Sequence, residues 1–305
     1  MSDEPPSERD AEPRFHVDGA VVPASEATVS VRDRGFRYGD AAFETLRTYA
    51  GDVFEWAAHA DRLRATCDLL SIDHGLSDSE LRRRIDETLV ANDLDDAYVR
   101  LSISRGVQPG KLTPQPDVTP TVVVEVDALP RGGLEGESVW DGPATLQTVK
   151  TQRVPDRAIP ARAKTHNYLN GILARLELRI DGPDGPETTA DEALLLDADG
   201  AVTEGATSNV FFVDDRALHT PSLDGPVLPG ITRSVVLDLA REERIPVNEG
   251  RYTPDDLRSA DEVFLTNTTW ELRPVSKVDG IEVGGGPVTP LLSKLFDARV
   301  EGEYY

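Results

Sequence analysis

Lys164 stands in the stretch Ala163-Lys164-Thr165-His166-Asn167-Tyr168, and Glu204 follows forty residues later in Val202-Thr203-Glu204-Gly205. Leu228-Pro229-Gly230-Ile231-Thr232-Arg233 comes next. An amine, a carboxylate and a glycine-led helix start are the three things needed to hold pyridoxal phosphate. The amine condenses with the aldehyde, the carboxylate keeps the pyridine nitrogen protonated, and free amides at a helix start receive the phosphate. The chain has five lysines (111, 150, 164, 277 and 294), so Lys164 is one of few candidates.

Each demand has a proposed residue. Burial and neighbouring cations lower an amine's pKa, and Lys164 lies between a strand-like segment and an amphipathic helix. Glu204 ends a strand, so it can point from the sheet into a cleft. Ile231 and Thr232 open a helix after Gly230, and Thr268 and Thr269, in Thr266-Asn267-Thr268-Thr269, close an apolar strand. Arg62, just off the apolar stripe of its helix, supplies a positive charge as a bidentate partner. Tyr168, four residues after Lys164, can turn back toward the cofactor's phenolic oxygen. Taken singly, each has a plainer reading: a surface charge, a strand-end acid, a core aromatic. It is their combination that carries the assignment.

Those elements must be placed by the rest of the chain. Phe15 to Val22 reads as a hairpin turning at Asp18-Gly19, and Ala41 to Tyr49 as a strand. Ala57 to Ile72 is helical, with Leu63, Cys67 and Leu70 on one stripe, which makes Cys67 a core residue. Ser77 and Glu80 form a capping box before a helix running to about Val90. Tyr98–Ser104 and Thr121–Val126 are strands, followed by a second half with a strand at Thr145–Lys150. Asn167 to Ile180 reads as a helix with Leu169, Ile172, Leu173, Leu176 and Ile180 on its buried face. Hairpins are expected at Ala193–Glu204 and Val210–Thr220, a helix at Ile231–Glu243 and a strand at Glu262–Thr266. His166 could line the cofactor pocket, with a surface role at a helix start as the first expectation.

The implied fold is α/β (α+β) in two domains. Residues 1–13 read as a disordered acidic tail and 14–128 as a small N-terminal α+β domain. Residues 129–143 are a Gly- and Pro-bearing linker, and 144–305 a larger C-terminal domain carrying Lys164.

Composition narrows the function. Fifty-five acidic against 32 basic residues give a net charge of −23. This argues against nucleic acid or anionic membrane as a partner and fits a protein working in concentrated salt. No apolar run is long enough to cross a bilayer, and one cysteine permits neither an internal disulfide nor a cysteine metal cluster. The five histidines lack metal-ligand spacing. A cytoplasmic enzyme is the expectation.

Further stretches carry a resemblance: Asp33 to Asp40, Ala42-Phe43-Glu44-Thr45-Leu46-Arg47, His59 to Leu63, Asp191 to Leu194, Ser208 to Phe211 and Asp261 to Thr266. With the segments quoted above, they resemble the class IV aminotransferase family, the fold-type IV pyridoxal phosphate enzymes. The similarity runs from about Phe15 to the region of Leu295. It implies that Lys164 carries the covalent link, that Glu204 meets the pyridine nitrogen and that Tyr168 meets the phenolic oxygen. Arg62, Ile231, Thr232 and Thr268 would hold the phosphate. It also implies a homodimer with Tyr38 near the neighbouring subunit's pocket. Arg100 is the candidate for a substrate carboxylate, and Thr269 is placed with it and Tyr38 on the substrate side. Thr45 and Leu101 to Gly106 resemble 4-amino-4-deoxychorismate lyase, which is the first expectation. Lys164 to Tyr168 and Tyr98-Val99-Arg100 suit a branched-chain or D-amino-acid aminotransferase using 2-oxoglutarate, the alternative. A non-catalytic relative would lack part of the constellation, and none is missing.

Overall fold

The computed structural model of the chain describes residues 12–131, 139–182 and 185–305. The N-terminal part contains β1 (Arg14–Val17), β2 (Ala20–Pro23), α1 (Arg34–Tyr38), β3 (Ala41–Tyr49), β4 (Asp52–Val53), α2 (Trp56–Leu70), α3 (Asp78–Ala91), β5 (Ala97–Ser104) and β6 (Thr121–Ala128). The strands make one antiparallel sheet in the order β2-β1-β6-β5-β3-β4. Ser77 caps α3 through its hydroxyl, and Glu80 returns the bond to the Ser77 amide, so the capping box closes on both sides. Leu63 and Cys67 of α2 and Leu81, Ile85 and Leu89 of α3 pack on Leu46, Val99, Leu101 and Val124 of the sheet. Cys67 is a core residue, as its position on the stripe predicts.

The C-terminal part contains β7 (Ala144–Thr148), α4 (Leu169–Leu176), β8 (Arg179–Gly182), β9 (Gly185–Thr188), β10 (Glu192–Leu196), β11 (Val202–Gly205), β12 (Asn209–Asp214), β13 (Ala217–Pro221), α5 (Ile231–Glu242), β14 (Val247–Gly250), α6 (Pro254–Arg258), β15 (Glu262–Asn267), β16 (Glu271–Val278), β17 (Ile281–Glu282) and α7 (Val288–Tyr304). Its main sheet runs β11-β10-β7-β16-β15-β12-β13-β14, with β17 on β16 and β8–β9 as a separate hairpin. The pairs β7–β10, β7–β16 and β13–β14 are parallel, so the sheet is mixed. Helices α5 and α7 cover one face, over the stacked rings of Phe211 and Phe264. Tyr49 and Phe54 of the N-terminal part belong to this same cluster, which joins the two sheets through shared apolar burial.

Three expectations need amendment. Helix α4 is eight residues long, and Leu169, Ile172, Leu173, Leu176 and Ile180 are 45–58% exposed rather than buried. Only Ala174 of the helix is buried. Glu12 and Pro13, placed at the end of the tail, accept hydrogen bonds from the Ser25 and Ala24 amides at 2.6 and 2.8 Å. The rest of that tail, and linker residues 132–138, lie outside the described residues.

Candidate active site

Lys164 is laced by its backbone to the start of β3. Its carbonyl accepts the Phe43 amide at 3.0 Å, Thr165 bridges Ala42, and the His166 amide reaches the Ala41 carbonyl at 2.9 Å. Its own amide donates to the Thr66 hydroxyl of α2 at 3.2 Å. The ammonium sits 4.5 Å from the centre of the Phe43 ring and 5.7 Å from that of Tyr168. Burial, and then the Arg62 cation, push its pKa down to about 8, while Glu44 and Glu204 pull the other way. An amine held there is partly uncharged near neutrality, which is what a nucleophile and a base require.

Glu204 is the penultimate residue of β11, where the strand's pairing with β10 delivers it into the same cavity. Arg153 donates to its Oε1 at 2.7 Å and the Leu228 amide to its Oε2 at 2.9 Å. Burial raises its pKa; Arg153, the Leu228 hydrogen bond and Lys164 oppose that rise. Tyr168 stands at the first turn of α4 with its hydroxyl's pKa pushed up to about 12 by burial, so it is a hydrogen-bond donor at neutral pH. Helix α5 begins at Ile231 after Gly230, with no side chain capping its free amides. A Cβ at Gly230 would lie 2.0 Å from Asn209 Oδ1, so only glycine fits this approach. The cavity has a volume of about 320 Å³ and is lined by Lys164, Tyr168, Glu204, Ile231, Thr232 and Thr268 among others.

Arg62 also lines the cavity, with three of its five N–H groups already bonded. It donates from Nε and Nη2 to the two oxygens of Glu44, at 2.8 and 2.5 Å, and from Nη1 to the Pro229 carbonyl at 2.8 Å. An arginine this buried needs an anion of its own, and β3 supplies it. Its bidentate partner in this structure is Glu44, whereas the sequence reading has it face the phosphate.

The substrate-side residues are more scattered. Thr269 is not among the residues lining the cavity; its hydroxyl and amide turn to Asn267 Oδ1, and its carbonyl accepts from Arg47 at 3.0 Å. The tight turn between β15 and β16 uses these polar groups. Tyr38 lies outside the cavity at the end of α1, 38% exposed. Arg100 on β5 holds its guanidinium 4.0 Å from the Phe43 ring centre, on the ring that also meets Lys164. His166, expected at the surface, instead packs edge-on to Phe43 and reaches the Ser102 hydroxyl at 3.1 Å. Burial pushes its pKa down to about 4, so it is neutral.

The donor set matches a phosphorylated pyridine aldehyde: a depressed amine, a buried carboxylate and an uncapped helix start converge on one cavity. The family model for amino-transferase class IV matches residues 41–278. The chain belongs to this family. Among similar proteins, one of Methanocaldococcus jannaschii, provisionally named a branched-chain-amino-acid aminotransferase, is 39% identical over 92% of this chain and 93% of its own length. The aminodeoxychorismate lyase of Bacillus subtilis is 33% identical over 94% of each chain. Among solved structures, a branched-chain amino acid aminotransferase (T.th.) with pyridoxamine 5'-phosphate superposes with a TM-score of 0.85 at 31% identity, covering 96% of this chain and 95% of that one. This member of the family has the two-domain fold-type IV architecture and is an enzyme.

In this member of the family, sequence reasoning missed Arg153, Asn209 and the Glu44–His59 pair. Asn209 donates to the Leu228 carbonyl at 3.0 Å and so fixes the turn into α5. The Ser208-Asn209-Val210-Phe211 stretch was visible in the sequence, but nothing local tells that Asn209 serves a turn nineteen residues away. His59 Nδ1 lies 2.8 Å from Glu44 Oε2.

Proposed function

We propose that the chain is a pyridoxal 5'-phosphate-dependent amino-acid aminotransferase acting on apolar amino acids. When bound, the cofactor supplies an electron sink for the substrate Cα carbanion. Lys164 carries the covalent link and its Nζ takes and returns a proton on one face of the substrate. Glu204, paired with Arg153 and the Leu228 amide, holds a proton at the ring nitrogen. The Ile231 and Thr232 amides, with Thr268 and Arg62, hold the phosphate, and Tyr168 donates to the phenolic oxygen. Arg100, above the ring that borders Lys164, receives the substrate carboxylate.

The observation that carries the choice of substrate, and with it the reaction, is the lining of the cavity. Among its described lining residues Glu204 is the only carboxylic acid, and no histidine is present. Transamination needs one base that moves a proton between two carbons. Elimination also needs a proton for the departing oxygen, which Lys164, protonated by removal of the Cα proton, would have to supply, because Glu204 is committed to Arg153 and Leu228. The apolar lining by Ile159, Ala161, Ala163, Leu169 and Leu173 suits an aliphatic side chain. This favours the aminotransferase over the lyase that the sequence ranks first. Purified protein given leucine with 2-oxoglutarate should form glutamate, and given 4-amino-4-deoxychorismate should form no 4-aminobenzoate; the opposite pattern overturns the assignment.

The working unit is a homodimer. The exposed stripe of α4 includes Leu169 and Leu173, which also line the cavity mouth, and a single subunit leaves it uncovered. No helix among the described residues is long and apolar enough to cross a membrane. The net charge of −23 suits concentrated salt, so the melting temperature should rise between about 0.1 and 1 M salt as screening shortens; a fall would remove that reading.

A further inference from the structure

We propose that Glu44 is a positioning residue, whose buried carboxylate presets the Arg62 guanidinium at the entrance to helix α5 so that it meets a phosphate in one orientation. The inference rests on the reading of α5 as the phosphate end of the cavity.

Glu44 side-chain exposure is 1%, and its two oxygens accept three bonds: two from Arg62 and one from His59. His59, Arg62 and Thr66 follow at spacings of three and four, so they share one face of α2. That face meets β3, and Thr66 on it also holds the Lys164 amide. One helix face therefore touches both the amine end and the anion end of the cavity. Opposing the cost of burial, Arg62 and His59 hold the Glu44 pKa down to about 2, so the pair stays ionised. Burial keeps His59 below its ordinary range, and the neutral ring donates from Nδ1.

A buried ion pair is a poor way to gain stability, since an apolar pair of equal volume usually does as well or better. Arg62 has five N–H groups; Glu44 takes two and the Pro229 carbonyl takes one. Two remain, on a guanidinium that lines the cavity beside Gly230. Glu44 compensates the charge, so its contribution is orientation: a fixed fork loses less freedom when it binds an anion than a free one.

The test uses the full chain freed of cofactor and compares equilibrium binding of pyridoxal 5'-phosphate with binding of pyridoxal, which lacks the phosphate. Glu44→Gln should reduce the preference for the phosphorylated form about tenfold, the size of one charge-assisted hydrogen bond, and leave pyridoxal binding unchanged. Glu44→Asp, which keeps the charge on a shorter stem, should move the ratio in the same direction and serves where the Gln variant does not fold. In an Arg62→Ala background, Glu44→Gln should add nothing. An unchanged ratio in the folded variants, or equal weakening toward both ligands, overturns the role of Glu44. Failure of the wild-type chain to bind pyridoxal 5'-phosphate would instead bring down the cofactor reading beneath it.

Discussion

Arg153 donates to Glu204 at 2.7 Å, across fifty-one residues of sequence, and this pair sets the charge at the ring end of the cavity. Burial alone drives Glu204 toward its protonated form; Arg153 is the largest of the forces opposing it. Glu204→Gln removes the anion altogether, so cofactor should still bind while kcat falls at least about tenfold at every pH. Arg153→Met leaves the acid but lets its pKa climb. Its rate should be low near neutrality and recover as pH rises and Glu204 ionises again. Rate–pH profiles of the two variants separate the cases; identical profiles would dissociate Arg153 from this role.

Lys164 gives a second pH dependence, with opposite chemistry. An amine attacks an aldehyde only when uncharged, so uptake of cofactor by the cofactor-free protein should accelerate as pH rises and level off above about 8. Arg62 is the largest charge lowering that pKa, so Arg62→Met should move the midpoint upward. Stopped-flow absorbance across pH measures both, and a midpoint that stays in place would show that burial alone sets it.

These two residues were legible because their types are scarce or their settings distinct: few lysines, and an acid at a strand end before glycine. The strands were legible for the same local reasons. Ala41–Tyr49 was read to the residue because the Ala50-Gly51-Asp52 turn fixes its end, and Ser77 with Glu80 announced α3. What periodicity cannot say is what covers an apolar face. The stripe of α4 was found, but in the single chain it is exposed rather than buried. Glu44 was invisible for a different reason. Strand β3 is buried almost throughout, so alternation gives no contrast, and its partners lie fifteen and eighteen residues away on another element. Helix α7 repeats Val288, Leu292, Phe296 and Val300 at intervals of four, a stripe present in the sequence and left unread.

The misplaced stripe itself makes a prediction. If α4 meets a second copy of the chain, charge on its outer face should separate the subunits. Ile172→Glu with Leu176→Glu alters two residues that are 53% and 52% exposed in one protomer, so its cost to the folding of that protomer should be below about 0.5 kcal/mol. Sedimentation velocity should show a dimer for the wild-type chain and a monomer for the double variant. Retention of the dimer would place the interface elsewhere.

His16 carries a prediction about stability. It lies on β1 with no exposed surface, and neither ring nitrogen has a hydrogen-bond partner among the described residues. Burial lowers its pKa, and Arg84 and Arg83 add to the effect while Glu87 and Asp18 oppose it. The folded chain therefore holds the ring neutral, whereas the unfolded chain protonates near the ordinary value of 6.5. Stability from this group is complete above that pH and is lost as pH falls below it, toward the lower folded pKa. His16→Leu removes the titration and a buried imidazole without partners, which costs on the order of 1–3 kcal/mol. Denaturant unfolding at pH 7 and pH 5 should show a smaller loss for the variant than for the wild-type chain. An equal loss in both would mean that other groups, and not His16, govern the acid side of the stability curve.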